Sequence, residues 1–187
     1  MTLERSLIEH CAPTLAGLKV ASLYRYFPRD REGFAGQFRA LREQMAARGL
    51  RLRVLKGCGR TGSLLLYLYR EEDLGRTLGD RAVADYLTAS GYDLTAGTEG
   101  LLRQMARRVC LRREFPHEIG LFLGYPLEDV EGFIRNKGQG YTYRGHWKSY
   151  GDPAEAHRRF AGYRACTEIY RRRYDGGTPI TQLIVAA

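Results

Sequence analysis

The chain has 187 residues, 44% of them apolar and 27% charged, with a formal charge of +9. A chain of this length and balance buries about 70% of its unfolded surface without disulfide or metal staples, and it contains no internal repeat, low-complexity segment or long linker. No run approaches the ~20 apolar residues that cross a bilayer, and the opening MTLERSLIEH places charges where a signal peptide carries an apolar stretch, so the expectation is a single domain over 1–187 in the cytoplasm.

Leu3 to His10 reads as a short helix. In CAPTLAGLKVASLYRYFP, Pro13 suits a first helical turn, where a missing N–H costs nothing. Leu15, Leu18, Ser22 and Tyr26 then recur at helical spacing up to Pro28. Glu32 to Arg48 is a further helix with Phe34, Phe38, Leu41 and Met45 as its apolar stripe and Gly49 as its stop. LRLRVLKGC alternates Leu50, Leu52 and Val54 against Arg51 and Arg53, the pattern of a strand, and SLLLYLYR is a second, more buried strand.

Between these strands lies GCGRTGS, with glycines at Gly57, Gly59 and Gly62. A dinucleotide fingerprint requires a helix after the glycines, to hold the pyrophosphate at its N-terminus. Here they lead into Leu64-Leu65-Leu66-Tyr67-Leu68-Tyr69, which has strand character. The Walker pattern fails too, because Ser63 follows Gly62 with no lysine between. A β-hairpin turn explains the loop with less strain than a nucleotide cradle does.

Helices follow at Asp80–Ser90 and Thr98–Leu111. The second places Leu102, Met105 and Val109 inside, with Arg103, Arg107 and Arg108 outside. FPHEIGLFLGYPLEDVEGFIRNKG reads as two short helices separated by a tight Gly-Tyr-Pro bend, with a strand over Ile119, Leu121, Phe122 and Leu123 as the alternative. YTYRGHWKSY alternates as one half-buried strand, with Tyr141, Tyr143, Gly145 and Trp147 on one face. Asp152-Pro153 starts a long helix to about Tyr174, whose terminal Arg171-Arg172-Arg173 suits the negative end of the helix dipole. The fold class is α+β: a small, mostly antiparallel sheet, made of a hairpin at about 50–70 plus a strand at about 141–150, against several helices.

The charge points to an anionic partner: nucleic acid, a phosphorylated ligand or an acidic protein. Only Lys19, Lys56, Lys137 and Lys148 are lysines and the other 26 of 30 basic residues are arginine, a balance that genomic base composition also produces. No RNP, KH or zinc-finger signature accompanies it, which makes nucleic acid the lesser reading. Cys11, Cys58, Cys110 and Cys166 are too scattered for a zinc ribbon or a thioredoxin motif. They read as free thiols, and all but Cys11 as small buried hydrophobes.

HCAPTLAGLKVASL (10–23), FPHEIGLFLGYPLEDVEGFI (115–134) and GHWKSYGDPAEAHRRFAGYRAC (145–166), with LLLYLYR between them, resemble the bacterial family called domain of unknown function 3793. The resemblance covers nearly the whole chain in order, and its His-Glu-Ile-Gly…Leu-Gly-Tyr-Pro run is specific. It implies an iron or redox connection: a flavin, haem or iron cofactor, and an acidic redox partner such as flavodoxin.

Cys11, two residues before Pro13, falls at or just outside a predicted helix N-terminus, where the dipole stabilises a thiolate. Thr14 and Lys19 can add donors to an anion there; the competing reading is a small buried residue beside an ordinary helix start. His117 and Glu118 follow Pro116 in a predicted first turn, with His117 a candidate base or ligand. The competing reading is a capping Glu118 and a structural His117. Neither is part of an H-E-x-x-H, and no metal site is assigned. Tyr125-Pro126 and Asp129 read as a pocket wall or as a turn. His146 and Lys148 can contact an anion, while Tyr141, Tyr143 and Trp147 offer either sheet core or a stacking platform.

Three functions compete. The first is a redox- or iron-related accessory protein binding an anionic ligand or cofactor near Cys11 and His117, with Cys11, His117 and Glu118 as the chemical groups and Thr14, Lys19, Tyr125, His146 and Trp147 as ligand contacts. The second is a non-catalytic adaptor that binds an acidic protein or RNA through an arginine face formed by Arg103, Arg107, Arg108, Arg112 and Arg113. The third is a transferase or hydrolase with Cys11 as nucleophile, which needs a base within reach.

Overall fold

A computed structural model describes residues 1–111 and 115–186. Among these residues the elements run α1 (Leu3–Leu15), β1 (Ala21–Tyr26), α2 (Arg31–Ala46), β2 (Leu50–Gly57), β3 (Leu64–Arg70), α3 (Glu71–Gly79), α4 (Arg81–Ala89), α5 (Gly97–Leu111), α6 (Ile119–Phe122), α7 (Leu127–Arg135), β4 (Tyr143–Arg144), β5 (Lys148–Ser149) and α8 (Pro153–Asp175). The class is α+β. The chain divides into two compact units, one of Met1–Leu74 with Cys166–Ala187, the other of Gly75–Ala165.

The first unit is built on an antiparallel sheet of order β1-β3-β2. Ala21 lies opposite Tyr69 and Tyr26 opposite Leu64, while Leu50 lies opposite Arg70 and Leu52 opposite Leu68, with a bulge between Val54 and Lys56. One sheet face carries Tyr24, Tyr26, Leu52, Leu66 and Leu68 into a core shared with Leu7, Ile8 and Leu15 of α1, Leu41 and Met45 of α2, and Ile180, Leu183 and Ile184 of the C-terminal tail. Thr2 and Asp30 cap α1 and α2 through bonds from the amides of Arg5, and of Glu32 and Gly33. Each such cap contributes about 1 kcal/mol.

The N-terminal third departs from the helical reading in two ways. Pro13 does not start a helix but sits in the last turn of a single α1. Its carbonyl accepts the amides of Leu18 and Lys19 at 2.8 and 3.1 Å, which closes the helix. Residues 21–26 then form β1. Leu18, one of the residues in the supposed stripe, is 55% exposed, so the helical period was accidental. Ser22, Tyr24 and Tyr26 follow the strand period of two onto the buried face. The third strand of the sheet is therefore β1, and not residues 141–150.

α3 was also missed: Gly75 and Gly79 lower its propensity, although Glu71, Glu72 and Asp73 favour its first turn.

In the second unit Asp80 caps α4 through the amides of Ala82 and Val83. The Gly-Tyr-Pro bend is as expected. Gly124 adopts φ +72°, its amide bonds the Leu121 carbonyl, and the Tyr125 amide reaches back to Gly120 at 2.9 Å. This is a Schellman stop, which favours glycine. Residues 141–150 are not one strand. They fold into a two-stranded hairpin, β4–β5, with Tyr143 opposite Ser149 and Arg144 opposite Lys148. The hairpin turns at Gly145, where any Cβ would collide with the Phe160 ring.

Candidate functional site

The site in the second unit grows from one carboxylate. Asp129, in the first turn of α7, is buried. It accepts bonds from Trp147 Nε1 at 2.6 Å, Ser149 Oγ at 3.0 Å, and the amides of Tyr150 and Gly151 at 2.6 and 3.3 Å. Three of these donors converge on Oδ1 and one on Oδ2, and such charge-assisted bonds are the strong ones. Asp129 therefore fastens the β4–β5 hairpin to α7. Gly120 permits the close approach beneath it, since a Cβ there would stand 2.7 Å from Val130.

The hairpin presents Trp147, whose ring stacks on Tyr125 at 4.2 Å and lies nearly perpendicular to the Phe160 ring at 4.5 Å, centre to centre. Such pairs are worth ~0.5–1.5 kcal/mol each beyond burial. Burial pushes the Tyr125 phenol up to about 12, so it stays protonated. Between hairpin, α6 and α7 lies a cavity of about 390 Å³. Ile119, Leu123, Val130 and Phe133 supply apolar wall, and His117, Arg144, His146 and Lys148 bring nitrogen groups to it. Among the described lining residues Asp129 is the one acid, set against the Arg144 and Lys148 cations.

Four of the residues singled out in the sequence, His117, Tyr125, His146 and Trp147, line this cavity together. His146 and Lys148 are not on the face opposite Trp147, as one continuous strand would place them, because the turn brings all three to the same wall. Arg144 and Phe133 escaped sequence reading. Asp129 was legible only as a pocket wall or part of a turn, since its partners lie 18 to 22 residues downstream.

Glu118 points elsewhere. It is buried, pairs with Arg108 at 3.0 Å and receives a bond from the Tyr92 hydroxyl at 3.4 Å. It stands at the N-cap of α6 without a side-chain cap bond. Arg108 is not outward-facing, as the stripe implied. Its guanidinium lies 3.8 Å over the Tyr92 ring and bonds the carbonyls of Ser90 and Gly91. Of the proposed arginine face, Arg103 and Arg107 are exposed, while Arg112 and Arg113 lie outside the described residues.

Cys11 is not at a helix N-terminus. It lies in the middle of α1 in the core of the first unit, fully buried. The continuation of α1 through Pro13 removes the dipole that would have stabilised a thiolate. Burial instead pushes the thiol up to about 12, against the pull of Lys19 and a bond with Ser22. Burial likewise brings Lys19 down to about 8. Thr14 is buried and bonded to Ser22 Oγ at 2.9 Å. Cys11, Thr14 and Lys19 do meet around the α1–β1 turn, but as a polar cluster closed on itself.

The glycine loop is a hairpin connection, closed by the Cys58 amide on Ser63 at 2.8 Å and the Gly62 amide on Cys58 at 2.7 Å. All four cysteines are free thiols, and Cys166 is buried. Cys110 is exposed and Cys58 half-buried, contrary to their reading as core residues. Bonds from Thr61 lower the Cys58 thiol. Among the described residues no group of three or more His, Cys, Asp or Glu is placed to hold a metal ion, and no helix is long and apolar enough to cross a membrane.

The model of a family described as "Protein of unknown function (DUF3793)" matches residues 7–184. No curated protein and no solved structure matches the chain.

Proposed function

We propose that this chain, which belongs to the DUF3793 family of proteins of unknown function, is an accessory protein that binds a small planar anionic ligand or cofactor in the cavity beside His117. The observation that carries this reading is the composition of that one space: an aromatic wall of Trp147, Tyr125 and Phe133 with His117, Arg144, His146 and Lys148 around it. About 390 Å³ is at the small end of the ~300–1,000 Å³ typical of small-molecule sites. It suits one or two fused rings and is too small for a dinucleotide. The donor set favours an organic anion over iron held by side chains, because the described residues bring no group of three His, Cys, Asp or Glu together. Cys11 takes no part in this reading, since its thiol is buried in the first unit and is protonated.

Trp147 is the only tryptophan in the chain, so its fluorescence reports on this wall alone. Protein purified without oxygen is examined by absorption spectroscopy and by mass spectrometry of whatever denaturation releases, and benzoate and naphthoate are titrated against the Trp147 emission. A released anion, or saturable quenching that weakens in high salt, supports the reading. A visible flavin or haem band extends it to redox work with an acidic partner such as flavodoxin. A colourless protein that binds a colourless anion keeps the binding function and removes the redox one. No released molecule and no quenching overturns both.

A further inference from the structure

We propose that Arg144 and His117 form the anion-recognising pair of this cavity, and that they select a carboxylate or phosphate carried directly on an aromatic ring; this rests on the cavity being a ligand site. The Arg144 guanidinium lines the cavity, is exposed, and makes no hydrogen bond or ion pair among the described residues. His117 meets the Phe133 ring at 4.9 Å, and neither of its nitrogens is bonded among those residues. The other polar groups at the wall already have a partner within the chain, Lys148 with two of its three donors to spare. Trp147 Nε1 is held by Asp129. Lys148 Nζ donates to the Gly138 carbonyl at 2.7 Å and lies 5.1 Å from the Tyr141 ring centre. His146 packs on the rings of Phe160 and Tyr163.

The pair that remains contains a permanent cation with a planar fork of donors, which matches the two oxygens of a carboxylate or phosphate. The hairpin sets the backbone positions of Arg144 and Trp147 close together. Arg144 and Trp147 flank one tight turn, closed by the Gly145 amide on the Trp147 carbonyl at 3.0 Å. A ligand that lies against this wall and reaches Arg144 therefore needs no long spacer between its ring and its charge.

The test is calorimetric titration of the full chain with naphthoate, naphthyl phosphate and neutral naphthamide. The expected result is that an anion binds about tenfold or more tightly than the amide, as a charge-assisted contact requires. Whichever anion binds more tightly identifies the carboxylate or phosphate class. Arg144→Gln should abolish the preference, bringing the anions down to about the affinity of naphthamide, and leave the melting temperature unchanged, because the side chain makes no other hydrogen bond or ion pair among the described residues. His117→Gln should reduce the preference in part. Equal binding of amide and anions, or a preference that survives Arg144→Gln, overturns the pair while the cavity remains a ligand site. Failure of all three probes to bind overturns the ligand site as well.

Discussion

In the first unit the polar groups at the core close on one another. Ser6 pairs with Tyr24 and Thr14 with Ser22, each at 2.9 Å. The buried Arg70 spends its guanidinium on Asp73 and on the carbonyls of Thr14 and Val185. In the second unit Asp129 consumes four donors to hold a hairpin, and that hairpin leaves Arg144 facing a cavity beside an equally uncommitted His117. Donors matched internally add stability and offer nothing to a ligand. Donors left unmatched at the mouth of an apolar space cost little while water reaches them, and they are available for recognition. The contrast separates a unit whose buried polar groups pair within the chain from one that keeps unpaired donors at a cavity.

The largest test of the closed unit removes its strap. Ending the chain at Pro179 takes Ile180, Leu183 and Ile184 out of the core and the Val185 and Ile184 carbonyls away from Arg70 and Arg48. Three buried aliphatic side chains at ~1.5–3 kcal/mol each approach the whole stability of a small domain. The truncated chain is therefore expected to unfold by circular dichroism at room temperature, or nearly so. A melting curve like that of the parent would show that the tail does not complete the core.

The open unit should break at Asp129. Asn in its place loses the charge that four donors share, and turns an NH₂ towards some of them. The expected cost is about 2–3 kcal/mol in urea unfolding, less than the truncation, with red-shifted Trp147 emission and loss of naphthoate binding. Unchanged indole emission would mean that the hairpin is held by other contacts.

The legibility of the sequence follows the same division between local and distant causes. LRLRVL, the Asp152-Pro153 helix start and the Gly-Tyr-Pro stop declare themselves because each depends on neighbours within a few residues. His117, Tyr125, His146 and Trp147 stood out by residue type, and the fold places them around one space. The path of α1 through Pro13 was misread because a proline in a last turn and a proline in a first turn look alike in sequence. β1 was misread because Leu15, Leu18, Ser22 and Tyr26 satisfy a period of 3.6 by coincidence, while the partner that makes 21–26 a strand, β3, begins about forty residues later. Arg144 passed as one of many arginines. What distinguishes it is the absence of a partner among the described residues, and only tertiary structure shows that.

The smallest effect is the one that would sharpen the account of the closed unit. Bonds from Arg171, at 2.5 Å to one Glu9 oxygen, and the charges of Arg171 and Arg5 hold the Glu9 carboxyl below its ordinary 4.5, in spite of some burial. In the window between that lowered value and 4.5 the unfolded chain binds more protons than the folded one, so stability rises with pH there and is lost as pH falls through the folded value. Both side chains are partly exposed, at 34% and 20%, and pairs in such positions are screened by solvent and salt. Arg171→Gln is therefore expected to flatten the acid limb of a urea-midpoint profile by less than Asp129→Asn lowers it at neutral pH, and added salt should flatten the parent's limb in the same way. If the variant keeps the parent's slope, the link between α1 and the end of α8 adds nothing, and the first unit owes its closure to its apolar core and to Arg70. If the slope goes, the polar pairing of that unit extends from its core to its surface, where the second unit keeps its unmatched donors.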